Sequence, residues 1–354
     1  MPRSAAARRH RDDDTDEEEL VDLTADLSLH SKRSERQRRR QQSRAARAAS
    51  RSGAILNLPY ELLVLMLSML HPGDVVRFSA VNRNMRDFVH RERDNIANAI
   101  IKRRYRILER CFRLPVLLAD VDPELHGDLQ LVAREDIMAI HKRPYQHVPL
   151  PDPTLICTCL TCLLRWNSLC LVLDFAHWQG DLDQGNALPI IPRGKSPEWN
   201  HTLLSSHAAL VREALADRLL YAHILQIQLN NTVRSIHRHA QNKGNQRRRF
   251  KLSKGDEAAE TDQFLEASGP PTLDFPFHRD NYYMLEAYMP GRSWNGDEQR
   301  WMYMPAEQHN VDLKVVVRFA RWKESEEAKK VRDSEVFLQE LRYTNPLLDA
   351  RNQQ

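Results

Sequence analysis

The pattern of apolar and polar positions changes character near residue 55. Before that point the chain consists mainly of two charge blocks, DDDTDEEE and KRSERQRRRQQSRAARAASR, with few apolar side chains. Such a segment has too little apolar surface to offset the entropy lost on ordering. We therefore predict a disordered charged tail over residues 1–52. After that point, apolar residues recur at helical spacing over most of the chain.

The most apolar stretch, LPYELLVLMLSMLHPGDVV at residues 58–76, predicts a helix from Tyr60 to Leu70. Pro59 suits the first turn, and the HPG at residues 71–73 ends the helix. A helix that is apolar around most of its circumference must be buried, and its short charged flanks are insufficient to cover it. A partner is therefore expected. A second amphipathic helix is predicted to start at Asp74 as N-cap and to carry a stripe of Val75, Phe78, Val81, Met85 and Phe88.

Beyond this hairpin the pattern remains helical and then changes period. Residues 91–112 predict a long exit helix, and a further helical run extends from about Ser205 to Ala240. The valine-rich run Leu313–Phe319 predicts a half-buried strand, and NYYMLEAYMP and RWMYMP predict two more, followed by a final helix that ends near Arg342. The predicted fold class is mainly α with a small antiparallel β region (α+β).

Residues 54–98 resemble an F-box in the order of their motifs. A Leu-Pro-x-Glu opening leads into the apolar helix, an acid starts the second helix, and a Val-x-Arg-x-x-Arg run follows. Met85 stands where the family often has Trp, which keeps the apolar character but reduces the ring area. The residues that carry the resemblance are Leu58, Pro59, Glu61, Leu70, Asp74, Val81, Arg83 and Arg86.

The resemblance implies that this module docks on the Skp adaptor and, through it, on a cullin. The chain would then be a non-catalytic subunit of a ubiquitin ligase, and its C-terminal region would select a protein substrate that the sequence does not name. Skp would bury the excess apolar face of the first helix. By the resemblance, the Skp-binding residues are Leu58, Pro59, Leu62, Leu63, Leu67 and Val81.

Changes of composition divide the rest of the chain. No internal repeat stands out, and a charged segment with a basic cluster separates the helical middle from the C-terminal part. The predicted segments are a disordered tail (1–52), the F-box (54–98), a helical region (99–240), a charged linker (241–263) and a small α+β region (264–345).

Four of the five cysteines lie between residues 157 and 170, in a C-x-C-x2-C-x7-C spacing that invites zinc. If the stretch is one helix, Cys170 lies about 12 Å along the axis from Cys162, whereas zinc requires sulfurs within about 4 Å of one another. We therefore predict no metal, with the thiols packed as small hydrophobes. The alternative zinc ligands are Cys157 and Cys159 on a loop, Cys162 on the first helical turn, and either His147 or His177.

No catalytic or cofactor motif is present, so neither an enzyme nor a cofactor is predicted. G-x-S-x-G, H-E-x-x-H and G-x-G-x-x-G are all missing, and GKS at residues 194–196 lacks the first glycine of a phosphate loop. There is no apolar run of about 18 residues and no signal-peptide core. The expected localisation is the nucleus, the cytoplasm or both, without membrane contact.

The charged tail suggests further partners, although the formal net charge of +4 conceals its two opposed blocks. EEELVDLTADLSL resembles a SUMO-interacting motif, with Leu20, Val21 and Leu23 adding to a sheet edge. The basic block is typical of a nuclear-import signal, and nucleic-acid binding is not expected because no aromatic platform is interleaved with its arginines. The alternative function is a nuclear, nucleic-acid-associated or regulatory protein that uses this arm.

The C-terminal aromatic residues are the candidates for substrate recognition, because large amphipathic rings dominate interface hot spots. The opposing interpretation is that they are ordinary core residues. They are Tyr282, Tyr283, Trp294, Trp301 and Tyr303.

Overall fold

The structure, a computed structural model, is mainly helical and contains one two-stranded antiparallel sheet within the residues that it describes. This confirms the predicted fold class, mainly α with a small antiparallel β region. No helix in the described ranges is long and apolar enough to cross a bilayer. The described residues are 33, 35–44, 58–131, 134, 147–192, 195–241, 251–267 and 275–324.

The chain divides into an N-terminal unit, Met1–Leu58, and a larger unit that begins at Pro59. In the N-terminal unit, residues 35–44 are helical and exposed. The guanidinium Nη2 of Arg39 lies 3.4 Å from Oε1 of Glu35, one turn earlier. Arginine and glutamine are good helix formers, and no Gly or Pro interrupts this block. The rest of the predicted disordered tail, residues 1–52, lies outside the described residues apart from residue 33.

The larger unit opens with a series of short helices. Pro72 occupies the first turn of the second one, with His71 as N-cap, so the predicted N-cap at Asp74 is wrong. The predicted second helix is in fact two helices, because the Asn82 side chain accepts a hydrogen bond from the Met85 amide (2.8 Å) and caps a new start. The exit helix is likewise interrupted at Tyr105. These helices are α1 (Tyr60–Ser68), α2 (Pro72–Ser79), α3 (Arg83–Arg91), α4 (Arg93–Arg104) and α5 (Arg106–Cys111).

Three long helices form the body of this unit, and the third of them packs along α4 as well as along the first. The first ends at Gly185, whose φ of 72° is the left-handed conformation that glycine adopts without strain. The predicted helical run from about Ser205 to Ala240 is divided at Asp217. A short helix, α6 (His126–Leu129), precedes α7 (Leu160–Gln184), α8 (Glu198–Ala216) and α9 (Arg218–Gln241).

The C-terminal part departs most from the sequence prediction. RWMYMP contains a strand, as predicted, but its partner lies in the segment predicted as a turn. NYYMLEAYMP is not a strand, because its first four residues belong to a 3-10 helix, Arg279–Met284, and the rest is irregular. Trp294 pairs with Trp301 across the sheet. The remaining elements are α10 (Lys254–Ala259), α11 (Phe264–Ala267), β1 (Arg292–Asn295), β2 (Arg300–Tyr303) and α12 (Gln308–Glu324).

The strand predicted over Leu313–Phe319 is also wrong, because these residues lie within α12. Its buried residues, His309, Val316 and Ala320, are spaced by seven and four positions, which is a helical and not an alternating pattern. Burial on one helix face therefore outweighs the β preference of three consecutive valines. The predicted final helix near Arg342 lies outside the described residues.

Candidate functional site

Helix α1 carries two apolar stripes that meet different environments. Leu63 and Leu67 are 4% exposed, and the helix packs on α4. The side chains on another face remain 46–47% exposed, at positions i, i+3, i+4 and i+7. We call this face the outer stripe, and it consists of Leu62, Leu65, Met66 and Met69.

The outer stripe is unusual for a protein surface because its apolar side chains are adjacent along one helix face. Scattered exposed apolar residues are normal, whereas grouped ones mark interaction sites. Two further exposed valines, Val76 on α2 and Val81 before α3, lie within the same helical series. The apolar surface of α1 therefore exceeds what the described helices cover.

Hydrogen bonds fix both ends of α1 to α4. At the start, the Tyr60 hydroxyl donates to Glu92 Oε2 (2.9 Å) and accepts from Asn95 (3.0 Å). At the end, the Arg104 guanidinium donates to the carbonyl of Met69. The hydrogen bond from Asn95 lowers the pKa of Glu92, and the bond to Glu92 raises the pKa of Tyr60. The outer stripe is thus held on a preorganised helix.

The structure separates the predicted Skp-binding residues into two groups. Pro59, Leu62 and Val81 are exposed in the larger unit, and Leu58, the last residue of the N-terminal unit, is exposed as well. The side chains of Leu63 and Leu67 are buried in the interior. The sequence prediction did not include Leu65, Met66, Met69 and Val76, which are also exposed. The first three follow Leu62 at helical spacing.

The structure also brings three of the cysteines together. Cys157 and Cys159 lie on the loop before α7, and Cys162 lies on its first turn. They meet His309 of α12, and the four ligand atoms lie within 4.8 Å of one another. Mutual hydrogen bonds lower the pKa of Cys157 and raise the pKa values of the other two thiols.

Neither histidine suggested as a fourth ligand belongs to this cluster. The Nε2 atom of His147 lies 3.0 Å from the carbonyl oxygen of Pro276, and the ring of His177 packs edge-on against Trp178. The fourth cysteine of the segment, Cys170, is buried separately farther along α7. His309 is 147 residues beyond Cys162, so the local spacing of the cysteines does not identify it as a neighbour.

The candidate recognition aromatics occupy several environments. Tyr282 is fully buried and donates to Asp174 (2.8 Å), so it is a core residue, whereas Tyr283 is exposed. On the hairpin, Trp294 is exposed and lies edge-on to Trp301, with 5.1 Å between ring centroids. Arg110 stacks 3.8 Å from the ring centroid of Tyr303. The hairpin therefore presents one aromatic end to solvent while the other contacts α5.

Comparison with known proteins gives one functional indication. Residues 55–96 match the family model of the F-box domain. No curated protein and no solved structure matches the chain. The match covers α1 to α3 and the start of α4, including the whole outer stripe.

Proposed function

Because residues 55–96 are an F-box domain, we propose that this chain is the substrate-recognition subunit of a Skp, cullin and F-box type ubiquitin ligase. An F-box indicates a subunit of this kind, which links a ligase to its substrates. The observation that supports docking in this particular chain is the outer stripe. In this role the chain positions a substrate and leaves the chemistry to other subunits.

The outer stripe suits a constitutive apolar contact. Each of its side chains retains about half of its surface in water, and burying the rest of one leucine contributes roughly 1 kcal/mol. Methionine is unbranched and adapts to irregular gaps, so Met66 and Met69 can fill the hollows of a partner surface. Such a contact is insensitive to salt, unlike binding to nucleic acid.

We also propose that the β1–β2 hairpin is part of the substrate surface. Trp294 and Met302 are both exposed there, and the Arg292 guanidinium lies 3.7 Å from the ring centroid of Trp301. A rigid aromatic end held by cation–π contacts loses little entropy on binding. The substrate itself stays unidentified, and affinity purification followed by identification of bound proteins is the direct search.

The docking prediction concerns Leu62 and Pro59. The double substitution Pro59→Ala with Leu62→Asp places an unpaired carboxylate in a dry contact, which costs several kcal/mol. Because both residues are exposed, the chain should still fold. We expect the Kd for purified Skp to rise by about 100-fold or more, since each 1.4 kcal/mol is tenfold, as measured by calorimetry.

The control is Ile190→Asp, which adds the same charge at an apolar side chain that is 75% exposed and lies outside the F-box. It should bind Skp with wild-type affinity. Undiminished binding by the folded double variant would contradict docking through the outer stripe. Wild-type affinity should also change little between low and high salt.

The remaining partner predictions concern the N-terminal unit. Residues Leu20, Val21 and Leu23, the predicted SUMO contact, lie outside the described residues, and this contact stays a prediction. The same holds for the alternative of a nuclear, nucleic-acid-associated protein and for the nuclear or cytoplasmic localisation. Steep salt dependence of nucleic-acid binding by the basic block would favour that alternative.

A further inference from the structure

Two distant parts of the chain supply the cysteine and histidine cluster. The main chain of Cys157 is fixed by its amide, which donates to the Val116 carbonyl (2.9 Å), and Cys159 is the N-cap of α7. His309 comes from the first turn of α12, and its Nδ1 atom lies 3.3 Å from Cys159 Sγ and 3.4 Å from Cys162 Sγ. All three cysteines are 0% exposed and His309 is 8% exposed.

We propose that Cys157, Cys159, Cys162 and His309 form a structural zinc site that fastens α12 to the start of α7. Four protein ligands of the Cys3His type close the coordination sphere, which is the character of a structural rather than a catalytic zinc site. Three thiolates and one imidazole are a ligand set typical of structural zinc sites, and the zinc ion itself is redox-inert.

The distances support tetrahedral coordination. Zn–S bonds near 2.3 Å and a Zn–N bond near 2.0–2.1 Å place two sulfurs about 3.8 Å apart and a sulfur and a nitrogen about 3.6 Å apart. The observed sulfur–nitrogen separations of 3.3 and 3.4 Å, and the 4.8 Å limit on all pairs, bracket these values. Shifts of a few tenths of an ångström at the two sulfur–nitrogen pairs, and of at most about 1 Å at the widest pair, therefore suffice to admit the ion.

The geometry also resolves the objection that one helix is unable to supply three sulfurs. Because α7 begins at Leu160, Cys162 is the one of the three cysteines that lies within the helix, on its first turn, while Cys157 and Cys159 approach from the segment before it. Cys170, the residue that made the spacing unworkable, is not a ligand. The loop-and-turn alternative is the observed arrangement, with His309 in place of His147 or His177.

Backbone amides point at the sulfurs. The amide of Cys159 donates to Cys157 Sγ (3.4 Å), that of Cys162 to Cys159 Sγ (3.5 Å), and that of Val116 to Cys162 Sγ (3.4 Å). Each sulfur thus receives one N–H, which stabilises negative charge on it. A thiol packed only as a small hydrophobe has no need of such donors.

A buried arginine lies beside the cluster. Zinc with three thiolates and a neutral imidazole has one net negative charge, which is costly to bury without compensation. Arg134 is buried, donates to Thr158 Oγ1 (3.0 Å) and the Thr158 carbonyl (2.8 Å), and lies within electrostatic reach of Cys157 and Cys159. Within the described ranges it forms no salt bridge with a carboxylate. Its charge is therefore placed to balance the site.

The other two cysteines provide an internal comparison. Cys111 and Cys170 are also buried, and in the described residues neither joins a group of metal-ligating side chains. Burial raises the pKa of Cys111 to about 12, as expected for a thiol in apolar surroundings. Packing as a small hydrophobe thus describes these two, whereas the other three face one another and an imidazole.

The first test measures metal in the untagged, full-length protein purified from zinc-containing medium. We expect about one zinc per chain by elemental analysis, as for a closed four-ligand site. After dialysis against a chelator, Cys159→Ser and His309→Gln should contain at least about tenfold less zinc than the wild type. Cys170→Ala, which removes a buried thiol outside the cluster, should retain it.

A second measurement uses the wild-type protein and does not depend on the folding of those variants. Wild-type protein produced in cobalt-containing, zinc-poor medium should show the intense visible bands of tetrahedral cobalt(II) bound to thiolates. Folded wild-type protein with less than about a tenth of a zinc per chain and without these bands would overturn the proposal. So would an intact mass lower by two hydrogens together with peptide mapping that places the disulfide within the cluster.

Discussion

At the residue scale, Asp174 forms a buried ion pair with Arg279. Its fully buried carboxylate accepts two hydrogen bonds from Arg279 (2.9 and 3.0 Å) and one from Tyr282 (2.8 Å). Arg279→Met leaves this carboxylate buried without its cation, and we expect a loss of about 3–5 kcal/mol in the free energy of unfolding, measured by urea denaturation. Arg300→Met is the control because its partner Glu298 is exposed, and about 0.5 kcal/mol is expected there. Equal losses in the two variants would contradict this account.

His147 makes folding sensitive to acid. Burial lowers its pKa from about 6.5 to about 4, so the folded state favours the neutral ring. Above the unfolded pKa the ring is neutral in both states, and the full free energy of unfolding is present. This free energy falls as pH falls through the folded pKa, by up to roughly 3 kcal/mol for a difference of about 2.5 pKa units. His147→Gln retains a donor for the Pro276 carbonyl and should lose less stability between pH 6.5 and 4.5 than the wild type.

The readout is the difference between the two pH profiles, because other buried groups contribute to both. Burial lowers the pKa of His207 to about 4, which acts in the same direction, whereas burial raises that of Asp262 to about 6, which acts in the opposite one. If the free energy of unfolding fell equally with pH in the wild type and in His147→Gln, folding would not lower the pKa of His147, which would contradict this prediction.

At the element scale, the sequence predicted the helices whose periodicity and breakers agree. Helix α1 begins at Tyr60 as predicted and ends two residues early, since Pro59 and the HPG segment confine it. The prediction for the valine-rich part of α12 was wrong because three β-branched residues obscure a helical burial pattern. Strand β1 was not predicted because the glycine and asparagine near it suggested only a turn. Local propensity is a weak guide where tertiary burial decides.

The candidate sites also differ in how far the sequence predicts them. The F-box could be identified from residues that are near one another in sequence. The further exposed residues that the structure shows there, such as Leu65 and Met66, follow from helical spacing. The zinc proposal was out of reach because its fourth ligand, His309, depends on how α12 returns to α7. Asp312 reinforces that return by accepting hydrogen bonds from the Thr161 amide (2.7 Å) and hydroxyl (2.6 Å). A long-range junction of this kind leaves no local signature in the sequence.

At the scale of the whole molecule, the F-box is continuous with the body that follows it. Helix α4 (Arg93–Arg104) crosses the predicted boundary between residues 98 and 99 and packs against both α1 and α9. Ile96 and Ile100, on opposite sides of that boundary, are fully buried. The outer stripe is thereby held in a fixed orientation to the helical body.

This continuity predicts what happens when the chain is cut. A fragment that begins at residue 101 retains only the last turn of α4, so α9 loses most of the helix that packs along it. We expect this fragment to aggregate or to lack a cooperative unfolding transition in circular dichroism and limited proteolysis. A fragment that begins at Pro59 keeps every element from α1 onward and should unfold cooperatively. If the shorter fragment folded with wild-type stability, α4 would be dispensable to the body, and the F-box would be a tethered module rather than a part of the same core.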